Sequence, residues 1–280
     1  QAEPDKYLKQ IYDFGLLEDF DHLYRFSALY DRLFGRDANA LIQSYSDIVP
    51  GRPTQVEHRA PEDDLRKPYD RRKAAPLTKL NATTLMAAEH QTHDYYMNIG
   101  PTFTDPVARQ LYAEIASIEE QHVTQYESII DPTETWLEKW LLHEANEVWN
   151  YWSCLQTESE PRVKAIWERF LDYELGHLQE ARAHFERLEG RDAAQVLPQT
   201  LPDPISFESQ REFVRQTLAR EVDLRASGTE LVPRAQESKA SIAIRRQLNS
   251  GGSPTDTVAR GYRWAPGTEL AAGNGASALH

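Results

Sequence analysis

Glu119-Glu120-Gln121-His122 and Glu174-Leu175-Gly176-His177 are two copies of one pattern, E-x-x-H, set 55 residues apart. Thirty residues before the first glutamate stands Glu89, and thirty before the second stands Glu144. The repeating unit is therefore a glutamate followed by an E-x-x-H. Residues i and i+3 share one face of a helix, so a Glu and a His at that spacing can grip one cation together. One E-x-x-H carries little weight. Two of them, each preceded by a glutamate at matched distance, point to four helices turned toward a common interior. Such a bundle can enclose two ions, with carboxylates bridging the pair and each imidazole supplying a neutral nitrogen. Mixed carboxylate and imidazole ligands suit iron, with manganese as the alternative.

The apolar stripes around these groups indicate which of them face inward. Leu111, Ile115, Ile118, His122, Tyr126 and Ile129 form a line that is apolar except at His122, and Glu119 lies beside it. Glu120 aligns with Ala113, Ala116 and Glu127, so Glu119 is the expected ligand. Leu137, Trp140, Leu141, Val148, Tyr151 and Leu155 form the next stripe, interrupted by Glu144 and Glu147, while His143 falls on the outer side. Ile166, Phe170, Ala181 and Leu188 flank Glu174 and His177. An unpaired carboxylate on a core stripe costs several kcal/mol or titrates to neutral. The glutamates at 89, 119, 144, 147 and 174 together imply a compensating cation. The expected metal ligands are Glu89, Glu119, His122, Glu144, Glu147, Glu174 and His177. Glu147 is either an additional, movable ligand or a partly exposed neighbour of the shell. Glu147 and Tyr126 are the expected catalytic residues, the tyrosine as a donor of hydrogen bonds or electrons, although packing is the plainer role for it and for Tyr96.

Other polar groups have simpler readings. Glu18 and His22, at i and i+4 of the first helix, could form a ligand pair, but a surface acid and a hydrogen-bonded histidine are the simpler account. His93, four residues after Glu89, is a candidate ligand or orienting group. His184 is expected to be a satisfied rim histidine. Arg66, Lys67, Arg71, Arg72 and Lys73 alternate with Asp63, Asp64 and Asp70, which suggests a solvated loop or an oligomer contact.

The periodic signal is helical along the chain, with no strand alternation, so the expected class is all-α. Helices are expected over 7–34, 82–98, 105–130, 134–157 and 161–189, with a weak amphipathic one over 206–226. This gives an N-terminal helix (1–35), a proline-rich loop (36–80), a four-helix bundle (81–190), and a short helix with an extended or disordered tail (191–280). The 280 residues carry 31 Lys+Arg against 44 Asp+Glu. The deficit lies in residues 1–202, with 21 against 35, whereas 203–280 hold ten against nine. A net charge of −13 argues against nucleic-acid binding, which needs a basic face. The single cysteine, Cys154, excludes a disulfide framework, a zinc ribbon and a four-cysteine iron site. No apolar run is long enough to span a membrane, and the expected location is cytoplasmic. The chain starts at Gln1 rather than Met, so an upstream segment is expected to have been removed or left out.

The set Glu89, Glu119/His122, Glu144/Glu147, Glu174/His177 resembles the ferritin-like di-iron carboxylate superfamily, and the E-x-x-E at 144–147 is most similar to its rubrerythrin and erythrin branch. The resemblance covers about residues 82–189. It implies a ferritin-like four-helix bundle with a di-iron centre and a peroxidase or oxygen-activating oxidoreductase. No C-x-x-C pair is present, so the rubredoxin domain is lacking and an external electron donor is implied. Residues 1–80 and 190–280 have no counterpart in that family. The superfamily fold also implies a long crossover between the second and third bundle helices, yet only 21 residues separate His122 from Glu144. Either 124–138 is less helical than its pattern suggests, or the helix pairs come from different chains of a swapped dimer; a homo-oligomer is expected in either case. An iron-handling ferroxidase or storage protein, and a structural protein with a stabilising metal, are the alternative functions.

Overall fold

Proline, glycine and short polar side chains set the helix limits. In the computed structural model, which describes residues 3–36, 38, 65–206, 212, 216, 224–227 and 230–260, the first helix, α1, spans Lys6–Phe34. Asp5 Oδ1 accepts the N–H groups of Tyr7 and Leu8 at its start, and Gly35 closes it at φ 58°. Helix α2 spans Pro76–Ile99 and α3 spans Pro106–Ser128. The expected start of α2 at 82 is corrected to Pro76: proline has no N–H to lose in a first turn, so it opens this helix instead of breaking it. Asp105 Oδ1 accepts from Ala108 N at 2.9 Å and caps α3.

Helix α4, Trp136–Thr157, begins with a capping box in which Thr135 and Glu138 each accept the other's backbone N–H. Helix α5, Pro161–Glu189, follows the expected limits, with Glu160 as its cap and Gly190 in the left-handed conformation at its end. Two shorter helices, α6 (Lys239–Leu248) and α7 (Pro254–Val258), follow. The all-α expectation holds apart from one antiparallel hairpin, β1 (Leu224–Ser227) and β2 (Glu230–Pro233), with Leu224 opposite Pro233. Most of the helix expected over 206–226 lies outside the described residues, and its last residues form β1. No helix among the described residues is long and apolar enough to cross a membrane.

The chain divides into two compact units. One comprises Gln1–Lys9, Arg66–Ala88 and Tyr126–Glu208; the other comprises Gln10–Leu65, Glu89–Gln125 and Ser209–His280. In the first unit the core joins Leu80, Leu141, Leu142, Ala145, Trp149, Ala181 and Phe185, so α4 buries the face carrying 141, 142, 145 and 149. Trp140, expected in that stripe, is exposed. The stripe expected on α5 is largely open as well: Ala181 is buried, whereas Ile166, Phe170 and Leu188 are exposed. Residues 129–135 join α3 to α4, and Asp131 organises them by accepting from Thr133 N, Thr133 Oγ1 and Arg71 N. No long crossover is present between these helices. Arg71 also pairs with the buried Glu138, which engages part of the basic run within the chain.

In the second unit Ala28 and Leu29 pack with Ala108, Leu111, Ile115 and Val258. Thr255 Oγ1 donates to Glu114 Oε2 at 2.9 Å beside this core. Between α2 and α3, a Cβ at Gly100 would stand 2.8 Å from Tyr112 Cβ, so only glycine fits without displacement.

Candidate metal centres

Helices α1, α2 and α3 each send ionisable side chains into the second unit. Their apolar stripes are interrupted at one level, and there the groups meet. His122 on α3 is the hub. Its Nδ1 lies 3.2 Å from Glu119 Oε2, 3.6 Å from Glu89 Oε2 and 4.0 Å from Asp19 Oδ1. Its Nε2 lies 2.5 Å from Glu18 Oε2. One ligand atom from each of Asp19, Glu89, Glu119 and His122 falls within 4.8 Å of the others, so this buried set could hold a metal ion. Glu119 and His122 are 1% exposed and Glu89 6%. Asp19 is half-exposed and forms the open edge. His22, also buried, places Nδ1 3.2 Å from Glu119 Oε1. Each oxygen of Glu119 thus faces a different imidazole, and the two rings lie nearly parallel with centroids 6.2 Å apart.

The charges here are strongly coupled. Burial pushes the Glu119 carboxyl up to about 7, with Glu89 adding to the shift and His122 opposing it. Burial works against a charge on His122, yet Glu18, Glu89 and Glu119 outweigh it and hold its pKa well above the ordinary value. Glu89 is likewise penalised by burial, but His122 draws it below the usual carboxylate range. Burial, then Arg25 and His122, depress His22, which keeps it neutral. Arg25, one turn beyond His22, is 2% exposed, and among the described residues its guanidinium has no hydrogen-bond acceptor.

The cluster could hold a metal ion. Among the described residues Glu18 Oε1 and His22 Nε2 are buried without a hydrogen-bond partner, and each such atom costs about 1–3 kcal/mol. The donors of that set are three carboxylates and one imidazole, a mixture of oxygen and nitrogen ligands. Glu18 on Nε2 would also hold the His122 ring with Nδ1 toward the carboxylates, as outer carboxylates do for metal-binding histidines.

The second E-x-x-H forms its own group in the first unit. Glu144, Glu174 and His177 also offer ligand atoms within 4.8 Å of one another. His177 Nδ1 lies 3.0 Å from Glu174 Oε2 and 3.9 Å from Glu144 Oε2, while Glu144 Oε1 accepts from Trp140 Nε1 at 2.7 Å. His177 is 60% exposed, so this cluster faces solvent. Its pKa is raised chiefly by the hydrogen bond to Glu174.

The structure therefore groups Glu89, Glu119 and His122 in one cluster and Glu144, Glu174 and His177 in another. Glu147 belongs to neither group; burial raises its carboxyl, His143 opposes, and Glu174 and Glu144 add to the rise. Tyr126 is fully buried, in the first unit. Tyr96 packs against Phe26 and Tyr112, and burial followed by Glu119 and Asp19 pushes its phenol up. His93 turns to Asp94 at 3.2 Å, and His184 accepts from Arg187 at 2.6 Å. Asp19 is the candidate ligand that sequence reasoning missed; Glu18 is buried rather than the surface acid expected, and His22 is hydrogen-bonded as expected, to Glu119. The available signal was Asp19-Phe20-Asp21-His22, a D-x-x-H with the same i, i+3 geometry as the E-x-x-H copies. Compared with known proteins, the chain matches no family model, no curated protein and no solved structure.

Proposed function

We propose that this chain is a non-haem, metal-dependent oxidoreductase that reduces peroxide or activates dioxygen. The observation that carries the reading is the Asp19–Glu89–Glu119–His122 cluster, buried on three of its four members and rich in hard ligands. We assign iron to it, with manganese as the alternative. The repeated glutamate and E-x-x-H pattern supports two ions, and Glu144, Glu174 and His177 offer three ligands for a further one. Likeness to the ferritin-like di-iron proteins and their bundle rests on that spacing, and the homo-oligomer belongs to the same reading.

Bound iron would supply the electrons and the Lewis acidity for cleaving an O–O bond. The chain's own part is positional and protonic. His122 is kept in one orientation by Glu18, and burial of Glu89 and Glu119 excludes bulk water. Half-exposed Asp19 gives a small oxidant an approach and can pass a proton across the open edge. Cys154 is the only cysteine, so electrons must come from an external donor.

The test is metal content joined to turnover. Iron or manganese should copurify, and consumption of hydrogen peroxide or dioxygen with an added reductant should follow metal occupancy and vanish in His122→Ala. A chain that takes up neither ion on reconstitution, or a turnover indifferent to His122→Ala, refutes the reading.

A further inference from the structure

Ile11, Phe14, Glu18, His22, Arg25 and Leu29 follow one another at helical spacing along one face of α1. All six are buried. Apolar residues hold both ends of this row, and three ionisable side chains hold its middle. Two of the three have partners on α3: Glu18 Oε2 meets His122 Nε2, and His22 Nδ1 meets Glu119 Oε1. Arg25 does not. Among the described residues its Nε, Nη1 and Nη2 are all buried without a hydrogen-bond partner. A guanidinium stays charged at any working pH and offers its N–H donors in a planar fork. Such a charge left unpaired in a core is strongly destabilising, and the helix does not require it, since leucine or methionine would continue the row. Glu18, on the same face, does not neutralise it, because Glu18 Oε1 is itself without a partner. A buried cation with every donor unused is the complement of an anion that comes from outside the chain. We propose that Arg25 anchors a binding site for a small monocarboxylic acid with an apolar body, one turn of α1 beyond His22.

Charge and surroundings select a carboxylate over a phosphate. A carboxylate brings a single negative charge and two oxygens in the plane of the fork, which matches a lone guanidinium. A phosphate brings more negative charge than Arg25 can balance, and Glu18, Asp19, Glu89 and Glu119 already gather around His122 in the same unit. Ala28 and Leu29, the next buried residues along α1, pack with Leu111 and Ile115. These neighbours suit an apolar body rather than a second polar group. The site needs no ion at the metal cluster and stands independently of the proposed function.

Thermal melts of the full-length protein without added metal provide the readout, with acetate and benzoate as probes and phosphate at equal ionic strength as the control. Acetate or benzoate at roughly 100 times its dissociation constant should raise the wild-type melting temperature by about 5 °C, and phosphate should not. Arg25→Lys keeps the charge and loses the fork, so it should weaken carboxylate binding about tenfold. Arg25→Met removes an unpaired buried charge. Without any anion it should melt above the wild type, and neither carboxylate should raise it further. An Arg25→Met protein that melts below the wild type, or fails to fold, shows that the guanidinium has a partner within the chain and overturns the proposal. A wild type raised by neither acetate nor benzoate also overturns it, as does an equal rise in Arg25→Met or an equal rise with phosphate. Metal uptake retained beside any of these results leaves the proposed function standing. A protein that takes up neither iron nor manganese, yet responds to carboxylate through Arg25, refutes that function and supports the anion site.

Discussion

The two E-x-x-H copies have identical spacing and opposite surroundings. Around Glu119 and His122, α1 supplies Glu18, Asp19 and His22, the group is buried, and the ionisations shift strongly. Around Glu174 and His177, among the described residues, only Glu144 joins the group, Trp140 supplies a hydrogen bond to it, and the histidine is open to water. The motif settles which side chains can meet. What covers them decides whether their charges act at low dielectric or are screened by solvent. The comparison therefore predicts unequal consequences for equivalent substitutions.

The largest effect is expected at the hub. His122→Ala should lower metal affinity at the buried cluster by more than about 100-fold, and removing the group that compensates Glu18 and Glu89 should destabilise the metal-free protein by about 3–5 kcal/mol. His177→Ala should leave the tightly held metal in place and shift the melting temperature little. Metal analysis after dialysis against a chelator, with thermal melts, decides between them. The comparison breaks if His177→Ala empties the protein while His122→Ala does not.

Next is the pH response of the metal-free protein. Glu119 has its folded pKa raised from 4.5 to about 7, so the folded state binds the extra proton and loses stability as pH rises through that window. His122 acts in the same direction, its stabilisation being lost as pH climbs past its raised folded pKa. Glu89, drawn down, opposes both at the acid end. Asp19, pushed up by burial, adds to the decline, and His22, pushed down by burial, opposes it up to its ordinary value; the Glu119 part is a decline of up to about 3 kcal/mol between pH 4.5 and 7, removed in Glu119→Gln and absent once metal is bound. Denaturant melts across this range check it, and a stability that rises with pH in the metal-free protein contradicts it.

A smaller effect is expected from the orienting carboxylate. Glu18→Gln should weaken metal binding about tenfold, measurable by competition with a chelator of known affinity, since His122 keeps its place on α3 but loses its charged anchor. The smallest is expected at Glu147, outside both clusters. Glu147→Ala should retain bound metal and slow peroxide consumption, whereas Glu144→Ala should lose the ion of the open cluster. Equal metal loss in the two variants would remove the distinction between them.

Much of the helical order was legible because its punctuation is local. Pro161 and Gly190 bracket α5, Gly35 ends α1, and Asp105 precedes α3. Pro76 misled because a proline that opens a helix looks, in sequence, like one that interrupts a loop. The inward side of α3 was also legible, down to the choice of Glu119 over Glu120, since five apolar positions outline it. Asp19 was not, because aromatic residues crowd α1 and obscure which stripe is buried. The exposure of His177 was not legible either. Ile166, Phe170 and Leu188 mark an apolar face on α5, but periodicity records only the side of a helix, not whether another element covers it.

Gly100 gives the buried cluster a gauge. With no side chain there, the turn after α2 lies against Tyr112 of α3, and the separation of the two helices is fixed at that end. Glu89 and Glu119 hang from these same helices, about 16 Å along α2 from the turn at 1.5 Å per residue. The closeness of the helices therefore limits the radius of the ion that both carboxylates can reach. Gly100→Ala is expected to spread the pair and move preference from small transition-metal ions toward calcium, by several-fold in relative affinity. Competition between iron(II) and calcium in the two proteins measures this, and an unchanged ratio would show that the helices hold their spacing without the glycine.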